Sequence, residues 1–593
     1  MNAGAFRGGA LLAALLPLGA LADGGALAAR AAESRVLDRA WLTGSGNLAA
    51  PLPMAEFTPR AGALPPRHAF EGRLVLEREA TLGAMHVLRD DYATAQRAPQ
   101  ILQHLPPFDF VFVTHGDVLI PAQRGLIGNR HPQWEYVLEP GRIWQESADG
   151  DYTRAALPFA LVERNANCVH NGVLSFLFDG EGQVSRVAYQ VSSETCAYLK
   201  IDLWGVLPAR YRPGRVPNRD ALVAAYDREV AARLPVRPIA ALAIDHPGAD
   251  PAQFGQAAEV SPANMTAFGF IIDGVHYVGG CDTRQGPYPF CDVLTLPSYS
   301  LAKSLAAGLG SMHLALRFPS LFEARITDYV PECRRAGHWQ DVSFGNLLDM
   351  ASGHYDSTVY DEDESSAAML DFFQAEDHMA KIRFACSHFP RRAAPGTRWV
   401  YHTSDTYLLG TALQAFVRRH LGKDRDFYTD VVAGSLWAPL GLSPVLQSTR
   451  RTRDLAAQPF TGWGLLLHRD DIARIGRLLG ERRPAIGGAP LFDATALDQA
   501  LQRDPAHPGL EAIDASFRYA HGFWAHDVSP YIGCATPTWV PYMAGFGGIT
   551  VLLLPNDTVY YYFSDGGEFR WSRAASEADR VRPYCAADRK ANP

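Results

Sequence analysis

The sequence predicts an α+β fold in which an antiparallel sheet is assembled from both ends of one domain, with a β-rich domain ahead of it. Three observations predict this. In AFGFIID-G-VHYVGG, Asp273-Gly274 joins two runs rich in aromatic and β-branched residues, the strongest short-range hairpin signal in the chain. Near the other end, ITVLLLP-ND-TVYYYFSD makes a second hairpin through Asn556-Asp557, and SEADRVRPY supplies a closing helix. Between the two hairpins the pattern turns helical, as in TYLLGTALQAFVRRHLG and DDIARIGRLLGE. Strands at both ends with helices between them give an α+β architecture.

At the N-terminus, Arg7 precedes the apolar run GGALLAALLPLGALA, and Ala20-Leu21-Ala22 places small residues where a signal peptidase reads. A signal peptide over residues 1–28 is expected, with a second Ala-x-Ala at Ala26-Leu27-Ala28 leaving the cut open. The run is too short for a spanning helix, and no later stretch approaches 18 apolar residues. The mature protein is therefore expected to be exported, periplasmic or secreted, without a transmembrane segment.

Residues 35–235 read as a β-rich accessory domain that stands apart from the chemistry described below, with strand candidates FEGRLVLE, FDFVFVT and WEYVLE. Pro-rich segments at Leu207 to Pro217 and Pro235 to Pro251, flanking a helical DALVAAYDREVAARL, mark its exit. The second domain then runs over residues 240–593. A composition of 47% hydrophobic and 20% charged residues over 593 positions suits soluble domains with substantial cores. The net charge of −8, with no basic run, excludes a nucleic-acid surface.

All eight cysteines lie in the mature part, and an even number in an exported chain argues for disulfides. Cys168 and Cys196 lie on opposite sides of the turn Asp179-Gly180-Glu181-Gly182, so folding the hairpin VLSFLF…VSRVAYQV brings them together. Cys281 and Cys291 bracket the turn-rich GPYPF. No local feature fixes the other four, for which Cys333 with Cys386 and Cys534 with Cys585 is the working assignment. Without a Cys-x-x-Cys pair, a zinc or redox reading is weak; no metal and no cofactor are implied.

The chemistry centres on Ser300-Leu301-Ala302-Lys303. From Val293 to Leu316 the run VLTLPSYSLAKSLAAGLGSMHLAL holds one charged residue, Lys303, and its apolar positions fall all round a helix. Such a helix is buried, and an ammonium there needs a reason. Ser300 stands at the helix start, and an i to i+3 step puts Lys303 on the same face, so hydroxyl and amine can meet. Burial lowers the lysine pKa towards the neutral amine that can remove a proton from serine. Of five lysines, Lys303 alone has a serine three residues earlier.

The domain from about residue 260 to 580 resembles the serine β-lactamase and penicillin-binding-protein superfamily, in its class C-like and esterase branch. Ser300-Leu301-Ala302-Lys303 matches its first motif, and Leu347-Leu348-Asp349-Met350-Ala351-Ser352-Gly353 is similar to a segment that usually reads LLTHTSG. Pro395-Gly396-Thr397, Tyr401-His402-Thr403 and Tyr407-Leu408-Leu409-Gly410 resemble the second motif; Phe546-Gly547-Gly548 resembles the third. The resemblance implies an α/β/α sandwich, an antiparallel sheet with a helical subdomain. It also implies two-step acyl transfer, with Ser300 attacking, Lys303 and Tyr401 moving the proton, and the N–H groups of Ser300 and Ile549 holding the oxyanion. Thr403, Phe546, Gly547 and Gly548 are the implied substrate-binding residues. His402 is expected in a loop and His521 on a strand near the cleft, neither catalytic.

Two departures bear on substrate. Thr403 stands where the family commonly has Asn, and Phe546 where it often has a Lys or His that can grip a carboxylate. The alternative register, Met543-Ala544-Gly545, also lacks the cation. The expected activity is hydrolysis of a small ester, amide or peptide-like substrate. A D-Ala-D-Ala carboxypeptidase or class C-like β-lactamase is the alternative, and a catalytically silent binding protein of the same fold is a third reading. The sequence carries no sign of an oligomeric state.

Overall fold

The computed structural model describes residues 35–77 and 84–585, so the expected signal peptide lies outside the described residues. Both predicted hairpins form. Met265–Ile272 and Val275–Gly280 pair antiparallel across Asp273 and Gly274. Both turn residues have positive φ, 51° and 76°, as a two-residue turn that follows the strand twist requires. Ile549–Leu553 and Val559–Ser564 form the second hairpin, in whose loop the Asn556 side chain accepts the Thr558 hydroxyl at 2.6 Å. The hairpins join directly, because Met265–Ile272 also pairs with Val559–Ser564. The two ends of the domain thus meet in the middle of a nine-stranded sheet that continues through Trp539–Gly545, Phe523–Asp527 and Phe517–Ala520.

Alternation along these strands builds three layers. Tyr561 and Phe563 turn to the side of the helix that follows Ser300, whereas Tyr560 and Tyr562 turn to the closing helix, Ser572–Val581. Each face of the sheet is therefore covered by helix, giving the α/β/α sandwich. A helical subdomain that includes Ala367–Gln374, His378–Ser387 and Thr403–His420 is inserted between the sheet halves.

The helix after Ser300 runs from Leu301 to Ala315 and is buried except at His313. Its first turns, Lys303–Gly308, are wound as a π-helix, a widening that recurs at functional sites. Two glycines let it sit deep. A Cβ at Gly308 would lie 2.8 Å from the His521 carbonyl oxygen, and one at Gly310 would lie 2.7 Å from the Phe427 ring.

Residues 71–213 fold into a twelve-stranded antiparallel sheet in which the predicted strands are all present. It does not stand apart. Thr153–Glu163 and Val169–Phe178 are buried on both faces. One face closes on an aromatic core including Phe70, Phe176 and Tyr189. The other packs on the second domain, where Val137, Ala160, Val162 and Val169 meet Val445 and Leu466. Continuous apolar runs such as VLSFLF are the sequence trace of this two-sided burial. Ion pairs cross the same boundary, Arg450 to Glu135 at 2.5 Å and Lys200 to Asp565 at 2.6 Å.

The disulfides are Cys168–Cys196, Cys281–Cys291, Cys333–Cys386 and Cys534–Cys585, as expected, with Cα–Cα distances of 4.8, 6.1, 4.8 and 5.2 Å. Among the described residues no cysteine is free. No described helix is long and apolar enough to cross a membrane.

Candidate active site

Ser300 sits in the turn that delivers the chain into the buried helix, and the residue before it is held in an unusual conformation. Tyr299 has φ +41°, a left-handed backbone that an L side chain adopts only when its surroundings impose it. Those surroundings come from the other domain. The Asn167 side-chain oxygen accepts the Tyr299 N–H at 2.7 Å, the Gly464 N–H at 3.0 Å and the Ser298 hydroxyl at 3.3 Å. Its amide nitrogen donates to the Leu465 carbonyl at 3.3 Å. Next to it in sequence, the Cys168 sulfur accepts the Tyr299 hydroxyl at 3.4 Å.

Lys303 lies where the i to i+3 step places it. Its Nζ donates to Ser300 Oγ at 2.8 Å, to Thr403 Oγ1 at 2.8 Å and to the Gly462 carbonyl at 3.3 Å. Burial lowers its pKa from 10.5 to about 8, against a smaller opposing pull from the Glu364 carboxylate. The Tyr401 ring stands 4.8 Å from Nζ, and its hydroxyl is hydrogen-bonded to the Ser300 side chain. Burial holds that phenol well above its ordinary pKa, so it is neutral. Ser300, Lys303 and Tyr401 thus converge on one point.

That point opens into a cavity of about 930 Å³. Tyr360, Tyr401, Trp524, Tyr542 and Phe546 line it from the second domain, and Arg89, Tyr92 and Tyr198 from the β-rich domain. Arg570 and Arg573 line it as well. Arg89 is paired with Asp91 at 2.8 Å.

The other sequence-predicted residues divide. Phe546 is 55% exposed, and with Gly547 it lines the cavity. Phe546, Gly547 and Gly548 form the turn between Trp539–Gly545 and Ile549–Leu553. Gly547 and Gly548 take φ of +90° and +100°, and a Cβ on Gly548 would strike Ser564 Oγ at 2.5 Å. Ile549, expected at the oxyanion, is fully buried in the core and outside the cavity. Ala544, Gly545 and Phe546 border the cavity instead, and a Cβ on Gly545 would lie 2.8 Å from the Ser298 carbonyl. The backbone that approaches the turn before Ser300 is therefore that of the Met543-Ala544-Gly545 register. Met543 itself points into the core.

Thr403 does not line the cavity. It is 2% exposed, with its hydroxyl between Lys303 and Glu364. His402 is buried in its loop, bonded to Asp363 at 2.9 Å and stacked on Phe389. His521 is a turn residue rather than a strand residue, with φ +50°, and faces Asp349 and Gln499 away from the cavity.

Sequence reasoning missed Asn167 and Glu364. Asn167 belongs to a domain with no recognisable motif. Glu364 ends the acidic run Asp361-Glu362-Asp363-Glu364, whose spacing singles out no member.

An antiparallel sheet between helical layers, with serine and lysine joined at the start of its central helix, defines a β-lactamase-like fold of the hydrolase class. The Beta-lactamase family model matches residues 296–443, so this segment of the chain, which carries Ser300, Lys303 and Tyr401, is similar to that family. Among solved structures it is similar to a penicillin-binding protein homolog from Caulobacter crescentus, at 17% identity over 60% of this chain and 98% of that one, TM-score 0.41. It is also similar to a family VIII carboxylesterase, at 17% identity over 60% and 97%, TM-score 0.38. EstCE1, described as a hydrolase with promiscuous acyltransferase activity, is 13% identical over 60% and 99%, TM-score 0.40. No curated protein matches the chain.

Proposed function

We propose that the protein is an exported serine hydrolase that cleaves ester or amide bonds through an acyl-enzyme. The observation that carries this is the 2.8 Å bond between Ser300 Oγ and the Nζ of a fully buried Lys303, open to a cavity on one side. Ser300 attacks the carbonyl carbon. Its proton passes to Lys303, and from there, with the neutral Tyr401 hydroxyl alongside, to the leaving group. Water then attacks the acyl-enzyme and the proton path runs in reverse. For the oxyanion, the N–H of Ser300 is one donor. The second is assigned to the N–H of Phe546 rather than Ile549, because Phe546 borders the cavity and Ile549 does not. Four disulfides fit an oxidising compartment and support export.

The cavity walls favour neutral, apolar acyl or alcohol groups. In the Met543-Ala544-Gly545 register the place of a carboxylate-binding cation falls to Met543, which points into the core, and such a charge-assisted bond contributes about 1.5–3 kcal/mol. Short-chain esters or uncharged amides should therefore be turned over with higher kcat/KM than benzylpenicillin or a D-Ala-D-Ala peptide, by roughly tenfold or more. One observation favours the second reading, a penicillin-interacting enzyme: Arg570 and Arg573 border the same cavity. Steady-state kinetics on matched neutral and anionic substrates separates the two. Preference for the anionic series, lost in an Arg570→Ala/Arg573→Ala double variant, would establish the second.

A further inference from the structure

One carboxylate borders the serine–lysine pair, and the acyl-transfer reading gives it no part. Glu364, in the loop before Ala367–Gln374, accepts the Thr403 backbone N–H at 2.8 Å and also the Thr403 hydroxyl. Since that hydroxyl spends its one hydrogen on the carboxylate, its lone pairs are left for Lys303, whose Nζ donates to it at 2.8 Å. Lys303 donates as well to Ser300 Oγ and to the Gly462 carbonyl. Three donations occupy all three ammonium hydrogens, so in this arrangement the amine has no lone pair with which to receive the serine proton. A base that begins fully protonated must first lose a proton. Of its three hydrogen bonds, the one through Thr403 ends on an ionisable acceptor.

We propose that Glu364 is a positioning carboxylate that converts Lys303 into a base by accepting one of its protons through the Thr403 hydroxyl. This rests on the acyl-transfer reading above. The balance is simple. One proton leaves Nζ for Thr403 Oγ1 as the hydrogen already on Oγ1 passes to Glu364, so ammonium and carboxylate become amine and carboxylic acid. Ser300 then forms its bond to the acyl carbon while its hydroxyl proton goes to the Lys303 amine and on to the leaving group. Water supplies the matching proton during deacylation, and Glu364 returns its own to Lys303 at the end of the cycle.

The surroundings bring the two groups together. Burial raises the Glu364 pKa and lowers that of Lys303, which narrows the gap the proton must cross. Lys303 and His402 face the carboxyl and favour its ionised form; Asp405, Tyr360 and Tyr401 stand against it from the neighbouring segments. A purely Coulombic role makes the opposite prediction to the relay. The carboxylate raises the Lys303 pKa, so its neutralisation alone would leave more free amine at neutral pH and a faster enzyme.

The test is Glu364→Gln in the full chain, with ester turnover followed as a function of pH. The relay predicts that the plateau of kcat falls by about 100-fold with KM little changed, and that Glu364→Asp recovers part of the loss. A plateau at or above that of the wild type, or a change confined to KM, would overturn it. Should Glu364→Gln not fold, Thr403→Val interrupts the path and leaves the carboxylate in place. The same fall in kcat is expected, and an unchanged kcat overturns the relay. An active wild type with unimpaired variants defeats the relay alone. A wild type that turns over no ester and takes no serine-directed label defeats the acyl-transfer reading with it.

Discussion

Lys303 shows how one residue type in one place carries both a cost and a function. An ammonium held in a domain centre with a pKa near 8 is less favourable there than in water, by about 1.4 kcal/mol for every tenfold rise in its acid dissociation constant. The sign follows from the two end states. The folded pKa lies below the unfolded value of 10.5, so between pH 8 and 10.5 the unfolded chain binds more protons and stability rises with pH. Below pH 8 the penalty is present in full. Lys303→Met, which keeps the length of the side chain and removes the charge, should therefore abolish turnover without unfolding the protein. Its stability relative to the wild type should be greatest below pH 8 and decline as pH rises to 10.5. Denaturant unfolding of both proteins at pH 7 and pH 10 checks this; a difference that does not change with pH would mean that Lys303 is not a desolvated ammonium. Ser300 and Lys303 were legible in the sequence because a lone charge in an apolar helical run violates its local pattern; Tyr401 was legible only through the resemblance of Tyr401-His402-Thr403 to a family motif. Glu364 was not, because a carboxylate in an acidic loop violates nothing. The choice between Ile549 and Phe546 was open in the sequence for a related reason: the glycine-rich AGFGG admits two registers, and only Phe546 borders the cavity.

At the scale of elements, the serine turn is positioned from outside its own domain. The strained Tyr299 is held by Asn167, which sits beside the Cys168–Cys196 bridge at the start of a strand of the twelve-stranded sheet. Asn167→Ala leaves the Tyr299 and Gly464 N–H groups without their shared acceptor, each at about 1–3 kcal/mol when buried, while the Ser298 hydroxyl keeps the Tyr299 carbonyl at 3.1 Å. The Tyr299 turn should relax, and Ser300 with it. Since misplacement of a reacting atom by about 1 Å can cost ~100-fold in rate, the expected result is a kcat lower by that order with KM nearly unchanged. Unaltered kcat in a folded Asn167→Ala protein would show that the serine turn holds its shape unaided. The hairpins, the buried helix and the closing helix were readable because each follows a local period or turn signal. The π-helical winding at Lys303–Gly308 and the clamp on Tyr299 were not, since both are imposed by packing between elements distant in sequence.

For the whole molecule, the β-rich sheet is a structural partner of the catalytic domain and supplies part of the cavity wall. Its long central strands Thr153–Glu163 and Val169–Phe178 are buried on both faces, and Arg89, Tyr92 and Tyr198 reach the space in front of Ser300. Sequence periodicity located those strands and could not say what covered their second face, because a continuous apolar run records burial without naming the partner. On the proposed reading, this assembly presents Ser300 as a nucleophile activated by a buried lysine. Treatment of the folded protein with a serine-directed fluorophosphonate, followed by peptide mass mapping, tests it most directly. One adduct is expected, on Ser300, absent from Ser300→Ala and formed far more slowly in Lys303→Met; an adduct on another serine, or none on a protein that hydrolyses esters, would rule out Ser300 as the activated nucleophile.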